Sequence, residues 1–294
     1  MECVGITHED EQGIVEQATD SIQEMLSERG SILRLVPFIS DILEKLASYI
    51  PQTLCISFFD AINEILKIYS PTLKKTPAII GVFVSNLVER ARLEYEVVRK
   101  SKGTPKLVLT KIWNIINGIG ENKDFIPEFQ EGIEKEMLPL FSFLETDDDL
   151  PFDDDILRYV NSTIKLSNKI SPVIWNIFKL YPKIFDQRLS LVTPLFPSLN
   201  QIIVHGKDEI EGNSETIHTL VEMGIRGINT PHPDAGKSGP AMAALHFQIL
   251  IQYVGIPNEE MERMLHACLA KLNVTEKLKG FLKVRYKKYS DIVC

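Results

Sequence analysis

Cysteine is scarce and scattered. The four cysteines stand at positions 3, 55, 268 and 294. No CxxC redox or zinc-knuckle pair exists, and nothing signals the disulfide framework of a small secreted domain. Glycine and proline, sixteen of each in 294 residues, are too few for a collagenous or low-complexity chain. A basic excess is missing too: 32 Lys and Arg face 40 Asp and Glu, a formal net charge of −8. That balance argues against direct nucleic-acid binding or attachment to an anionic membrane, both of which need basic surface. No apolar run approaches the roughly 18 residues of a membrane span. The longest, Pro77 to Val84, stops at Ser85 and Asn86, so no membrane insertion is expected. The amino terminus, with His8-Glu9-Asp10-Glu11, is acidic where a signal peptide is basic. A cytosolic or nuclear location is expected. Sustained apolar/polar alternation, the mark of half-buried strands, is absent as well.

What is present is helical spacing. Phe58, Ile62, Ile65, Leu66 and Tyr69 recur at i, i+4, i+7, i+8 and i+11. The same offsets return at Ile80, Val84, Leu87, Val88 and Ala91, and again at Val108, Ile112, Ile115, Ile116 and Ile119. Such a stripe covers one face of an α-helix. Ala78 to Val84 is rich in β-branched residues, but its continuation through Ala91 favours helix. Punctuation cuts the chain into about thirteen helical segments. They are Ile14–Arg29, Ile32–Tyr49, Leu54–Tyr69, Pro77–Val98, Lys106–Ile119, Phe125–Leu144, Asp154–Leu166, Pro172–Phe185, Leu189–Val204, Glu215–Ile228, Pro240–Val254, Asn258–Leu272 and Glu276–Tyr289. Ser171-Pro172 reads as an N-cap followed by proline at the first helical position. Two such helices with their connections take about 35–45 residues, the period of HEAT-type repeats. One pair cannot bury its apolar face alone, so neighbours stack. The expected fold is all-α: a right-handed α-solenoid of HEAT-like helical hairpins over residues 1–294. A single irregular helical domain is the alternative.

Chemistry is thinly signalled. Gly236-Lys237-Ser238 imitates the end of a phosphate-binding loop, but Pro231 stands where the first glycine is required and a helix precedes it. No two of the six histidines have the spacing of a zinc-peptidase helix, and no Gly-x-Ser-x-Gly elbow occurs. His246 and His266 sit beside apolar helix positions and are expected to be packed. Cys55 and Cys268 fall within apolar stripes and are expected to behave as small buried hydrophobes. We read no catalytic residue, cofactor site or metal site, and expect no enzyme.

Charge is distributed unevenly. From Glu121 to Asp155 there are thirteen acidic residues against two basic, Lys123 and Lys135. The densest part holds Asp147, Asp148, Asp149, Asp153, Asp154 and Asp155. These six read either as solvated charge at a helix start, favoured by the helix dipole, or as a docking surface for a basic partner. Lys74 to Lys111 carries nine basic residues against three acidic, and Lys271 to Cys294 carries seven against two. Neither interleaves aromatics with glycines as single-strand binders do.

The segment Ile170-Ser171-Pro172-Val173-Ile174-Trp175, continuing through Phe178, Tyr181 and Phe185, resembles a helix opening in the carboxyl-terminal half of the importin-β superfamily. The branch of importins seven and eight is the nearest. Its surroundings agree: Phe141 to Ile164 with Tyr159-x-x-Ser162, then Pro194-Leu195-Phe196 with Leu199-Asn200, then the helix pair within Ala241 to Leu272. The resemblance covers about Lys123 to Leu272. It implies a karyopherin of HEAT repeats that shuttles between cytoplasm and nucleus. Such a receptor binds protein cargo of the basic histone or ribosomal-protein type, passes the pore on phenylalanine-glycine (FG) nucleoporins, and releases cargo to the Ran GTPase. Receptors of that family are longer, and their amino-terminal repeats carry the principal Ran site. Nothing in Met1 to Arg34 resembles those repeats. The chain is therefore expected to be a carboxyl-terminal portion or a divergent short member, with weak or absent Ran binding. A helical-repeat scaffold unrelated to transport is the second reading.

Overall fold

A computed structural model describes residues 8–53, 55–101, 107–146, 152–187, 191–229 and 238–272. Among these every regular element is a helix. They are α1 (His8–Ser27), α2 (Arg29–Leu35), a 3-10 turn (Val36–Phe38), α3 (Ile39–Tyr49), α4 (Ile56–Leu73), α5 (Pro77–Ser101), α6 (Leu107–Gly120), α7 (Gln130–Phe141) and α8 (Phe143–Thr146). The series continues with α9 (Asp153–Ser167), α10 (Pro172–Phe178), α11 (Tyr181–Gln187), α12 (Val192–His205), α13 (Lys207–Ile210), α14 (Ser214–Asn229), α15 (Ser238–Tyr253) and α16 (Asn258–Leu272). The chain divides into two compact units, Met1–Leu180 and Tyr181–Cys294.

In the first unit each helix packs on one further along the chain rather than only on its sequence neighbour. One layer runs α1–α4–α6–α9 and the other α3–α5–α7–α10, with α3 against α4 and α5 against α6 joining the layers. The three apolar stripes noted above form the seam: none of their residues is more than 4% exposed. Each such burial is worth roughly 1.5–3 kcal/mol against the entropy of ordering the chain. The second unit repeats the scheme, with α12 on α15 in one layer and α11 on α14 on α16 in the other. Helices that bury one stripe against a neighbour two places away are what a helical-repeat array requires.

Proline explains where the expected helices were too long. The segment Ile32–Tyr49 is broken into α2, the 3-10 turn and α3 because Pro37 lacks the N–H that a continuous helix needs. Pro172–Phe185 is two helices, α10 and α11, because Pro182 removes a donor in the same way. Phe125–Leu144 begins as turns through Phe129, with α7 starting only at Gln130. By contrast Pro71 lies inside α4 and Pro139 inside α7, each within the last turn. Asn258–Leu272 has the expected bounds, and Glu276–Tyr289 lies outside the described residues.

Two glycines set the packing of the second unit. A Cβ at Gly227 would lie 2.8 Å from the Phe196 ring and 3.2 Å from Ala243, and one at Gly224 would run into the Phe247 ring. Their bareness on α14 lets the rings of α12 and α15 approach its backbone.

Candidate protein-interaction surface

The family-like Ser-Pro opening is built around one hydroxyl. Asn168 ends α9 in a left-handed conformation (φ 54°), the turn that lets the chain reverse into α10. Ser171 then caps α10: its Oγ accepts from the Ile174 N–H at 3.1 Å. The same hydroxyl donates to Glu134 of α7, whose other carboxylate oxygen accepts from Gln130 Nε2 at 2.7 Å. Glu134 is fully buried. Burial pushes its carboxyl up, against the lowering effect of the Ser171 and Gln130 hydrogen bonds. The Tyr159 hydroxyl, also buried, has no hydrogen-bond partner among the described residues, and burial with the nearby Glu134 charge drives it well above its ordinary value. Thus Ser171 fastens α10 onto α7. Trp175 is half-buried and meets the Phe178 ring edge-on at 5.6 Å. The motif that resembles importins does structural work at this corner.

The acidic segment divides. Asp147, Asp148 and Asp149 lie outside the described residues. Asp153, Asp154 and Asp155 form the first turn of α9, where negative charge is favoured by the dipole. Phe152 holds this end down: its ring stacks on Trp113 of α6 at 5.1 Å and meets Tyr95 of α5 at 5.4 Å. The consequence is that Asp153 is buried, Asp155 half-buried and only Asp154 exposed. Asp155 accepts from Asn117 Nδ2 at 3.1 Å. Burial, aided by the Asp154 charge and opposed by Arg158, pushes the Asp155 carboxyl up to about 6. Partial desolvation raises Asp154 as well.

Along the rest of this layer, ion pairs cross between stacked helices. Lys111 of α6 donates to both oxygens of Asp60 of α4, at 2.6 and 2.8 Å. Arg158 of α9 donates to Glu121, just past α6, at 2.7 Å. The exposed Arg158–Glu121 pair contributes about 0–1 kcal/mol.

In the second unit a chain of charges spans α11, α14 and α16. Asp186 pairs with Arg226, Arg226 with Glu222 at 3.2 Å, and Glu222 with Arg263 at 2.5 Å; Arg263 also reaches Glu260 at 2.7 Å. His218 Nδ1 lies 2.7 Å from that Glu260. Burial pushes the Glu222 carboxyl up, but hydrogen bonds from Arg226 and Arg263 outweigh it and hold the group below its ordinary value.

His246 is packed, as its position in the sequence suggested. It is fully buried, with Nε2 3.0 Å from the Leu220 carbonyl and Nδ1 3.0 Å from the Asn200 side-chain amide. Burial lowers its pKa to about 4, against the raising effect of the Leu220 carbonyl. The neutral ring carries one N–H, which goes to Leu220, so Asn200 must turn its NH2 toward Nδ1. His266 departs from expectation and is exposed; it projects from the side of α16 away from Met264 and Ala267, which are buried. Cys55 is buried, whereas Cys268 is only half-buried, with its thiol raised by desolvation.

Sequence reasoning passed over Glu134 and Asn117, the polar groups that join α7 to α10 and α6 to α9. Glu134 had a signal: it stands one position after Ile133 and four after Gln130, on the inward side of α7. Among the described residues no group of three or more His, Cys, Asp and Glu is arranged to hold a metal ion. No described helix is long and apolar enough to cross a membrane.

No family model matches the chain, and no solved structure matches it. Over 124 residues it is 24% identical to a protein from Dictyostelium discoideum described as a probable importin-7 homolog. The match covers 41% of this chain and 12% of that relative. The likeness is therefore to part of an importin-like protein, and the chain spans a small fraction of that protein's length.

Proposed function

We propose that the chain acts as an importin-β-like nuclear transport receptor, or as the repeat-bearing part of one, taking up protein cargo for nuclear import. The observation that carries this reading is the coincidence of the partial importin likeness with two-layer helix stacking in each unit. Stacked hairpins offer extended faces to a protein partner, which suits cargo recognition. On this reading the partners are basic cargo of the histone or ribosomal-protein type and FG nucleoporins. Residence is shared between cytoplasm and nucleus.

The cargo contact includes the acidic segment. Asp153 is turned into the core and serves the start of α9, so the attraction falls to Asp147, Asp148, Asp149 and Asp154, with Asp155 contributing its outer side. Near 0.15 M salt the screening length is about 8 Å. Charges of this sort raise the association rate and fade as salt rises. The test is fluorescence anisotropy with a labelled core histone, from low to physiological salt. The variant carries Asp147, Asp148, Asp149 and Asp154 replaced by Asn, with Asp153→Asn alone as the control. Weaker binding and a shallower salt dependence in the fourfold variant are expected. Unchanged affinity returns the segment to a solvated helix start. GTP-locked Ran should bind the chain weakly or not at all; a nanomolar complex refutes that part of the reading. If the chain captures neither basic cargo nor FG-repeat peptides, the scaffold reading replaces this one.

A further inference from the structure

The first helix is incompletely covered and unequally charged. On α1 the residues turned inward include Thr19 and Leu26. Beside that buried face runs a second, exposed stripe at helical offsets: Ile14, Ala18, Ser21 and Met25, with Ile14 55% and Met25 38% exposed. The neighbouring α2 and its 3-10 extension add Leu33, 75% exposed, and Phe38, 59% exposed. Further round the same helix Glu16, Asp20 and Glu24 follow one another every four residues, all exposed. Glu28 continues the row, its carboxylate taking the Ser31 hydroxyl at 2.7 Å. Like charges at this spacing repel along a helix. Among the described residues none of Glu16, Asp20 and Glu24 has a basic partner. From Met1 to Glu28 the sequence holds eight acidic residues and no Lys or Arg.

The other end of the sequence has the opposite character. Lys271 to Cys294 holds seven basic residues and two acidic. Its apolar residues Leu278, Phe281, Leu282 and Tyr286 fall at offsets of 0, 3, 4 and 8, with Lys277, Lys279 and Lys283 among them. A helix that exposes both an apolar stripe and an acidic row calls for an occupant with apolar residues and basic charge together.

We propose that the α1–α2 face is a docking surface for the basic carboxyl-terminal segment, residues 271–294, of a second copy of this chain. The contact is heterologous: each copy presents one face and one tail, so a dimer still carries one of each unused. Association then proceeds past the dimer as concentration rises, unless a ring closes. Apolar burial holds the pair together, while the charges set its orientation and make it salt-sensitive.

The experiment is sedimentation of the full chain over a range of concentrations at about 0.05 M and about 0.5 M salt, where the screening length changes several-fold. Mass should grow with concentration at low salt and shrink at high salt. Replacing Glu16, Asp20 and Glu24 by Gln, Asn and Gln, all exposed and without a basic partner among the described residues, should weaken association about tenfold. Lys277→Gln, Lys279→Gln and Lys283→Gln should do the same. A chain with the three acidic residues changed to Lys, mixed with one whose three lysines are changed to Glu, should associate although neither does alone. Helix content by circular dichroism checks that each variant folds. A wild-type chain that stays monomeric at the highest soluble concentration overturns the proposal. So does association that ignores the α1 substitutions, or a charge-swapped mixture that does not assemble. Cargo binding is measured separately, so loss of self-association leaves the transport reading standing.

Discussion

Acid should weaken the second unit chiefly through one fully buried histidine, His246. His246 has a folded pKa of about 4, while the same side chain in the unfolded chain titrates near 6.5. Above pH 6.5 both states hold the ring neutral and nothing is lost. As pH falls through 6.5 the unfolded state takes up a proton that the folded state refuses, so stability drops with pH until the folded ring also titrates near 4. Proton linkage puts the loss at about 2 kcal/mol by pH 5 and about 3 kcal/mol at the lower end. The assay is the amide-exchange protection of α12, α14 and α15 at pH 7 and pH 5, corrected for intrinsic exchange, in the wild type and in His246→Gln. The glutamine does not titrate, so its protection should change by about 2 kcal/mol less than the wild type's between those pH values. Equal pH dependence in the two proteins refutes the reasoning, as does a His246 imidazole seen by NMR to titrate near 6.5.

Asp155 has the opposite sign in the first unit. Its folded pKa of about 6 exceeds the ordinary 3.8, so at pH 7 the buried charge costs stability. Asp155→Asn, which keeps an acceptor for Asn117, should stabilise α6 and α9 by about 1 kcal/mol after allowance for its partial exposure, measured by denaturant unfolding at pH 7. That gain should vanish at pH 4. Ser171→Ala removes the α10 cap and one donor to buried Glu134, for a loss of about 2 kcal/mol in the same unfolding experiment. The loss should be non-additive with Glu134→Gln. Gly227→Ala should destabilise by about 1–3 kcal/mol, since its Cβ would sit 2.8 Å from the Phe196 ring. Gly132→Ala, on exposed helix with nothing within 4 Å, should stabilise by about 0.5–1 kcal/mol. Thermal unfolding of the two variants side by side checks both signs.

The helices themselves were legible because periodicity is a local property. The stripes of α4, α5 and α6 could be read at 3.6-residue spacing before any packing was known, and every residue in them is buried. Ser171-Pro172 announced a helix start by the same local logic. Breaks at Pro37 and Pro182 were also written in the chain, but apolar residues on both sides of each proline concealed them. The sequence could not say which acidic residues face water. Asp153, Asp154 and Asp155 are chemically identical neighbours, yet they end buried, exposed and half-buried. The difference comes from Phe152, which packs on Trp113 and Tyr95 and rotates the first turn of α9 against α6. The role of Ser171 beyond capping depends likewise on Glu134, 37 residues earlier, and the neutrality of His246 on the burial that α12 and α14 impose around it. Spacing along the chain determines which face of a helix is apolar. Which polar groups lose their water, and so which carboxylates and imidazoles change their proton affinity, is decided only when a neighbouring layer closes over them.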